Sequence, residues 1–154
     1  MNVTPKTAPK KPVALRVALT SGLMCTASAF FLAANSFMTG ADWVRTALAK
    51  ELGIDAERIS ASLIETSATD VLQTLKARAY VWIVLGIFML LVSIAGRRSA
   101  LWSRILRTLI IMPVLVMAAI DLGDTVPTVN SLMAALAASA ALVSVFACWI
   151  PSRK

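Results

Sequence analysis

The chain reads as an all-α integral membrane protein, a four-transmembrane-helix bundle with a short extracytoplasmic helical hairpin between helices 1 and 2. Three observations predict this class. Of 154 residues, 58% are hydrophobic and 15% charged, with a mean hydropathy of +0.79, and one soluble core cannot hide so much apolar surface. Four stretches are long and apolar enough to cross a hydrocarbon core that needs about 20 helical residues. Charge outside them is segregated by sign, as the two sides of a membrane require.

Residues 1–16 form a basic tail in which Pro5, Pro9 and Pro12 alternate with lysines. Too few apolar residues are present for it to fold alone. We expect a flexible cytoplasmic arm held near anionic lipids, each basic residue contributing on the order of 1 kcal/mol at the surface.

Span one is placed at 17–38, with no charge between Val17 and Ala41. A basic tail before it and the small-x-small run Ala27-Ser28-Ala29 imitate a signal peptide. The apolar run continues through Phe30, Phe31 and Leu32 to Phe37, so a retained anchor is expected. The bulky Met24 before Cys25 argues against a lipoprotein signal.

The loop at 39–78 carries its own helical pattern. Thr39 or Asp42 can cap a helix through Leu52, Gly53 sits at a helix stop, and a second helix can start near Asp55. Val44, Leu48 and Leu52 recur at four-residue steps, as do Ile59 and Leu63, and Val71, Leu72 and Leu75 carry an apolar face into span two. Such a hairpin is either a cap on the bundle or a docking surface for another subunit.

Span two is expected at 79–96, a basic turn at 97–104, and span three at 101–121, with Arg104 and Arg107 snorkelling from its first turns to the headgroups. Pro113 is expected to kink span three near its middle. An outer turn at 122–128 leads to span four at 129–150, and a cytoplasmic tail occupies 151–154.

Orientation follows from the basic residues. Lys6, Lys10, Lys11, Arg16, Arg97, Arg98, Arg104, Arg107, Arg153 and Lys154 are ten positive charges with no acid among them, whereas all eight acids fall on the opposite side with five basic residues. The positive-inside rule places both termini in the cytoplasm of a plasma membrane and the long loop outside. Trp43, Trp82, Trp102 and Trp149 all fall near predicted interfaces, where amphipathic rings are enriched.

Catalytic, cofactor and metal sites are not expected. The chain has no His, which removes the commonest metal ligand and the usual general base. Hydroxyls such as Thr20, Ser93 and Ser139 are the main polar groups at mid-span, so a proton relay or ion pathway has little to work with. Cys25 and Cys148 lie at depths about 10 Å apart at 1.5 Å per residue, too far for a bridge. The basic residues flank apolar spans and do not form an aromatic-interleaved stripe, so anionic lipid at the cytoplasmic face, not nucleic acid, is the expected partner.

One weak polar site stands out: Asp121, Asp124 and Asn130 at the outer mouth of spans three and four. Two carboxylates three residues apart could bind a cation or an amine; alternatively they turn the chain with Gly123 and Pro127 and cap the next helix. The packing signals are stronger. Ser21, Cys25, Ala29 and Ala33 on span one, and Ala140, Ser144 and Cys148 on span four, repeat small residues at four-residue spacing, as do Ala134 and Ala138. Such faces let helix backbones approach closely where lipid gives no hydrophobic drive. They predict that spans one and four pack together or against a partner, while the larger residues of spans two and three face lipid or partners.

The segment Ala77-Arg78 through Trp82, the apolar run to Gly96, and then Arg97-Arg98 followed by Trp102-Ser103-Arg104 resembles a pattern in small four-span membrane proteins of actinobacteria. The resemblance implies an architecture and a bacterial plasma membrane, with no catalytic residues to carry over. Some such proteins are similar to accessory subunits of respiratory or envelope-building assemblies. The function expected is therefore a non-catalytic accessory subunit of a larger membrane complex, the alternative being a small homo-oligomeric transporter or channel component.

Overall fold

A computed structural model describes residues 13–52, 61–95, 100–124 and 126–150. The expectations for residues 1–12, the stop at Gly53, the start at Asp55, the Arg97-Arg98 pair and the tail at 151–154 lie outside these. The described residues form five helices and no strand: α1 (Val13–Met38), α2 (Ala41–Leu52), α3 (Ala61–Ala95), α4 (Ala100–Gly123) and α5 (Thr128–Trp149). Four of them contain stretches long and apolar enough to cross a membrane: Val13–Met38, Thr66–Ile94, Arg104–Gly123 and Thr128–Trp149.

Three boundaries differ from the sequence reading for simple reasons. α1 begins at Val13, inside the expected tail, because nothing after Pro12 opposes a helix. α3 does not pause between loop and span. It runs 35 residues without a break, because no Gly or Pro occurs from Ala61 to Leu85. At 1.5 Å per residue it is about 52 Å long, well beyond a hydrocarbon core of about 30 Å, so its first turns project past the bundle. At the start of α5 the cap is Pro127 itself, with no side-chain cap bond; the amides of Asn130 and Ser131 donate to its carbonyl at 2.7 and 3.2 Å. Pro113 lies on the outer face of α4, which continues through it.

The bundle is held by a repeat that hydropathy alone conceals. Buried positions recur in alternating steps of four and three on each long helix. They are Ala18, Gly22, Cys25, Ala29, Leu32 and Ser36 on α1, and Leu75, Ala79, Trp82, Gly86, Met89 and Ser93 on α3. α4 supplies Arg107, Ile111, Val114, Ala118 and Asp121, and α5 supplies Asn130, Ala134, Ala137, Ala141 and Ser144. A 3.5-residue period keeps one seam facing its neighbours along the whole length of a helix.

Of the four long helices, the small-residue pair α1 and α5 make the most extensive contact, followed by α1 with α3 and by α4 with α5, the contact of α3 with α4 being the least extensive of these four. The long helices therefore form a ring in the order α1, α3, α4, α5, each antiparallel to both neighbours. The expected intimate pairing of spans one and four is present. A Cβ added at Gly22 would lie 2.7 Å from Ser93 Oγ, and one at Gly86 would lie 3.4 Å from Ala29 Cβ, so α1 and α3 also approach closely where glycine permits it. Large residues of α3 and α4, including Val84, Phe88, Leu91, Leu109 and Met112, point outward.

A second, smaller core joins α2 to the projecting part of α3. Val44, Ala68 and Leu75 are buried there, with Trp43, Leu48, Val71, Leu72 and Val126 packed against them. Of the four-residue steps read in α2, Val44 and Leu48 thus lie on its contact face; the side chains of Leu52, Ile59 and Leu63 lie outside the described residues.

Candidate functional site

Among the described residues, two charged side chains, Arg107 and Asp121, are buried in the bundle, which the sequence reading did not expect. Arg107 opens the buried seam of α4 and is 2% exposed. Its NH1 donates to the carbonyl of Ala18 at 2.8 Å, to Ser144 Oγ at 3.1 Å and to Cys148 Sγ at 3.4 Å. Ser144 Oγ donates to the same Ala18 carbonyl at 3.0 Å. The expectation that Arg107 snorkels outward is therefore corrected. Acceptors on α1 and α5 satisfy its donors inside the bundle in place of a distant headgroup. Its Nε has no partner among the described residues.

At the other end, Asp121 is 4% exposed and Trp82 1%. Trp82 Nε1 donates to Asp121 Oδ2 at 2.7 Å. Arg78 on α3 lies with NH1 3.5 Å from Asp121 Oδ1 and donates through NH2 to Asp124 Oδ2. Trp82 is thus part of the interior and not of an interfacial belt; an indole that fills the α3–α4 seam also finds an acceptor there. Trp102 and Trp149 do remain exposed, at 66% and 53%.

The three residues of the expected polar site separate into two groups. Asp121 and Asp124 meet through Arg78, tying α4 to α3. Asn130 turns instead to α1: it accepts from Asn35 Nδ2 at 2.6 Å and donates to Ser36 Oγ at 3.1 Å. The aspartates are spent largely on bundle contacts, and Asn130 staples the α1–α5 seam.

The packing residues divide similarly. Ser21, Cys25, Ala29, Ala33, Ala140 and Ser144 are buried, and Cys148 is half-buried. Both cysteines are free thiols. Ser21 Oγ satisfies itself on the Val17 carbonyl at 2.7 Å. The α5 seam follows Ala134, Ala137 and Ala141 more closely than the pure four-residue series, and Ala138 is half-buried.

Arg78, Trp82, Asn35 and Ser36 were missed as interior partners. A signal for the seam was present, since Arg107 and Asp121 stand 14 residues apart, two heptads on one helix face. Their partners on other helices carry no such mark.

One concave site lies outside the bundle proper. A cleft of about 270 Å³ opens between α2 and α3, lined by Trp43, Val44, Ala47 and Leu48 from α2, by Asp70, Val71, Thr74, Leu75 and Arg78 from α3, and by Asp124. Its lining is mostly apolar, with Asp70, Arg78 and Asp124 as the charged members among the described residues. Among the described residues no group of three or more His, Cys, Asp or Glu is placed to hold a metal ion. Comparison of the chain with protein-family models, curated proteins and solved structures returns no match.

Proposed function

We propose that this chain is a non-catalytic structural subunit of a larger plasma-membrane assembly. Both termini and the basic turn between α3 and α4 face the cytoplasm and its anionic lipids in this reading, and α2 with the projecting turns of α3 lies outside. The segregation of ten inner basic residues from all eight acids supports that orientation.

One observation carries the structural role. Arg107 and Asp121, the charged side chains of the buried seam, are both bonded to neighbouring helices of the same chain. A group that moves protons or ions must exchange partners with water or cargo; these two are engaged in clamping α1, α3, α4 and α5 together. The rigid bundle then offers its outward apolar residues on α3 and α4, such as Val84, Phe88 and Leu109, to a partner's helices.

Purification in mild detergent at near-native expression, followed by mass spectrometry, tests the reading. A stoichiometric membrane partner is expected. A monodisperse monomer that co-purifies with no other protein would sink it.

A further inference from the structure

We propose that Arg107 and Arg104 form a clamp for a phosphate oxyanion at the end of the bundle where α4 begins. Free phosphate and the headgroup of an anionic phospholipid share this chemistry. The site adds to the lipid contact proposed above, and only its lipid source rests on that placement of the helix ends.

The first argument is charge. Arg107 is 2% exposed, and a buried charge is costly unless an opposite charge meets it. The sequence has no Asp or Glu before Asp42, between Asp70 and Asp121, or after Asp124, and Asp121 stands 14 residues further along α4, about 21 Å away. Among the described residues no carboxylate pairs with Arg107 or Arg104. A bound anion supplies the counter-charge that these side chains do not.

The second argument is the donors. All three hydrogen bonds of Arg107 among the described residues leave from NH1, to Ala18, Ser144 and Cys148. Its Nε, on the opposite edge of the guanidinium, has no partner. A guanidinium carries five N–H donors in a planar fork, and parallel bonds to two oxygens of one oxyanion are its strongest contact. One edge therefore holds the helices together, and the other is left for the anion.

The third argument is the route in. Buried positions on α4 recur at 107, 111, 114, 118 and 121; one step further toward the helix start is Arg104, which is half-buried. The two arginines thus share a seam with Cβ atoms about 5–6 Å apart, one at the rim and one a turn inside. Trp149, which donates from Nε1 to Thr108 Oγ1 at 3.2 Å, and Trp102 are exposed at this level, where such rings mark the headgroup layer and its phosphates. Nε is closed to solvent, so the anion enters by displacing side chains at this rim. A tetrahedral phosphate offers separate oxygens to both arginines, which a halide does not.

The test uses the full chain in neutral maltoside micelles, its thermal midpoint followed by circular dichroism as sodium phosphate replaces sodium chloride at constant ionic strength. A saturable rise is expected, half complete at or below about 5 mM phosphate. Arg107→Lys keeps the charge but loses the planar fork, and is expected to move the half-point at least about fivefold. Arg104→Gln should move it about threefold or more, Arg107→Met should abolish the rise, and Lys50→Gln, which changes an exposed cation on α2, should leave it as it is. If Arg107→Met does not fold, Arg107→Lys carries the test. A second arm names the source: the chain is released for native mass spectrometry from nanodiscs of equal phosphatidylglycerol and phosphatidylcholine. Preferential retention of phosphatidylglycerol by about fivefold or more, lost in Arg107→Lys, supports the clamp with lipid as its source. A phosphate response without lipid preference supports it with a free phosphate or phosphomonoester as the source. Absence of both responses, an equal rise with chloride alone, or an Arg107→Lys variant that matches the parent in the arm that responds would each overturn the proposal.

Discussion

Trp82 and Asp121 face each other across the α3–α4 seam, the indole Nε1 donating to Asp121 Oδ2 at 2.7 Å with both residues almost wholly buried. α3 and α4 share the thinnest contact in the ring, so this bond and the adjacent Arg78 pair carry a large share of what joins them. Trp82→Phe keeps most of the ring volume but leaves a buried carboxylate oxygen without its donor. It is expected to destabilise the bundle by about 1–3 kcal/mol, measured by thermal unfolding in detergent micelles. An unchanged midpoint would show that Arg78 alone satisfies Asp121.

Arg107 separates two effects that are usually mixed. Arg107→Ala removes the bonds to Ala18 and Ser144 and leaves a cavity, for an expected loss of about 2–4 kcal/mol. Arg107→Met keeps a similar stem and removes a charge for which no carboxylate partner occurs among the described residues. Replacing a buried charge by a well-packed apolar group is often near neutral, so Arg107→Met is expected within about 1 kcal/mol of the parent. The two unfolding midpoints, compared directly, check this order; Met falling as far as Ala would refute it.

Gly22 tests how closely α1 and α3 must approach. A methyl group there meets Ser93 Oγ at 2.7 Å, and a hydroxyl can rotate away. Gly22→Ala is therefore expected to cost less than about 1 kcal/mol, whereas Gly22→Leu drives the backbones apart and should cost more than about 3 kcal/mol. Ser93→Ala should recover most of the alanine loss and almost none of the leucine loss. Equal rescue of both would mean that the α1–α3 separation is not limited here.

Orientation is open to a labelling experiment in a background lacking Cys25 and Cys148. The side chain of Asp42 is almost fully exposed, and Trp102 is exposed at the opposite end of the bundle. With Asp42→Cys, an impermeant maleimide should label intact cells. With Trp102→Cys it should label after permeabilisation, as the inner position of the basic flanks demands. The reverse pattern would invert the topology.

The element pattern was readable because it depends on local rules. A long apolar run makes a span whatever surrounds it, and α2 was visible because Val44 and Leu48 recur on one face of an otherwise polar helix. Packing faces were harder to read. In α3 and α4 both lipid-facing and interior positions are apolar, so hydropathy does not distinguish Val84 from Leu85, although the first is exposed and the second buried. Small residues marked the faces of α1 and α5 because size, unlike polarity, still differs between their sides.

The order of residues along the chain, by itself, determined four apolar helices and the separation of charge between the segments that flank them, since each depends on composition within a single segment; it left open that α1 starts at Val13 and that α3 runs unbroken from Ala61. Tertiary structure decided where Arg107, Trp82 and Asn130 point. Polar side chains near a span's end can reach either headgroups or the interior, and the outcome turns on hydrogen-bond partners carried by other helices: the Ala18 carbonyl and Ser144 Oγ as acceptors for Arg107, Asp121 as acceptor for Trp82, and for Asn130 the donor Asn35 and the acceptor Ser36. Those partners lie 37 to 95 residues away in the chain, and come within reach only where helices meet side by side, which no local pattern encodes.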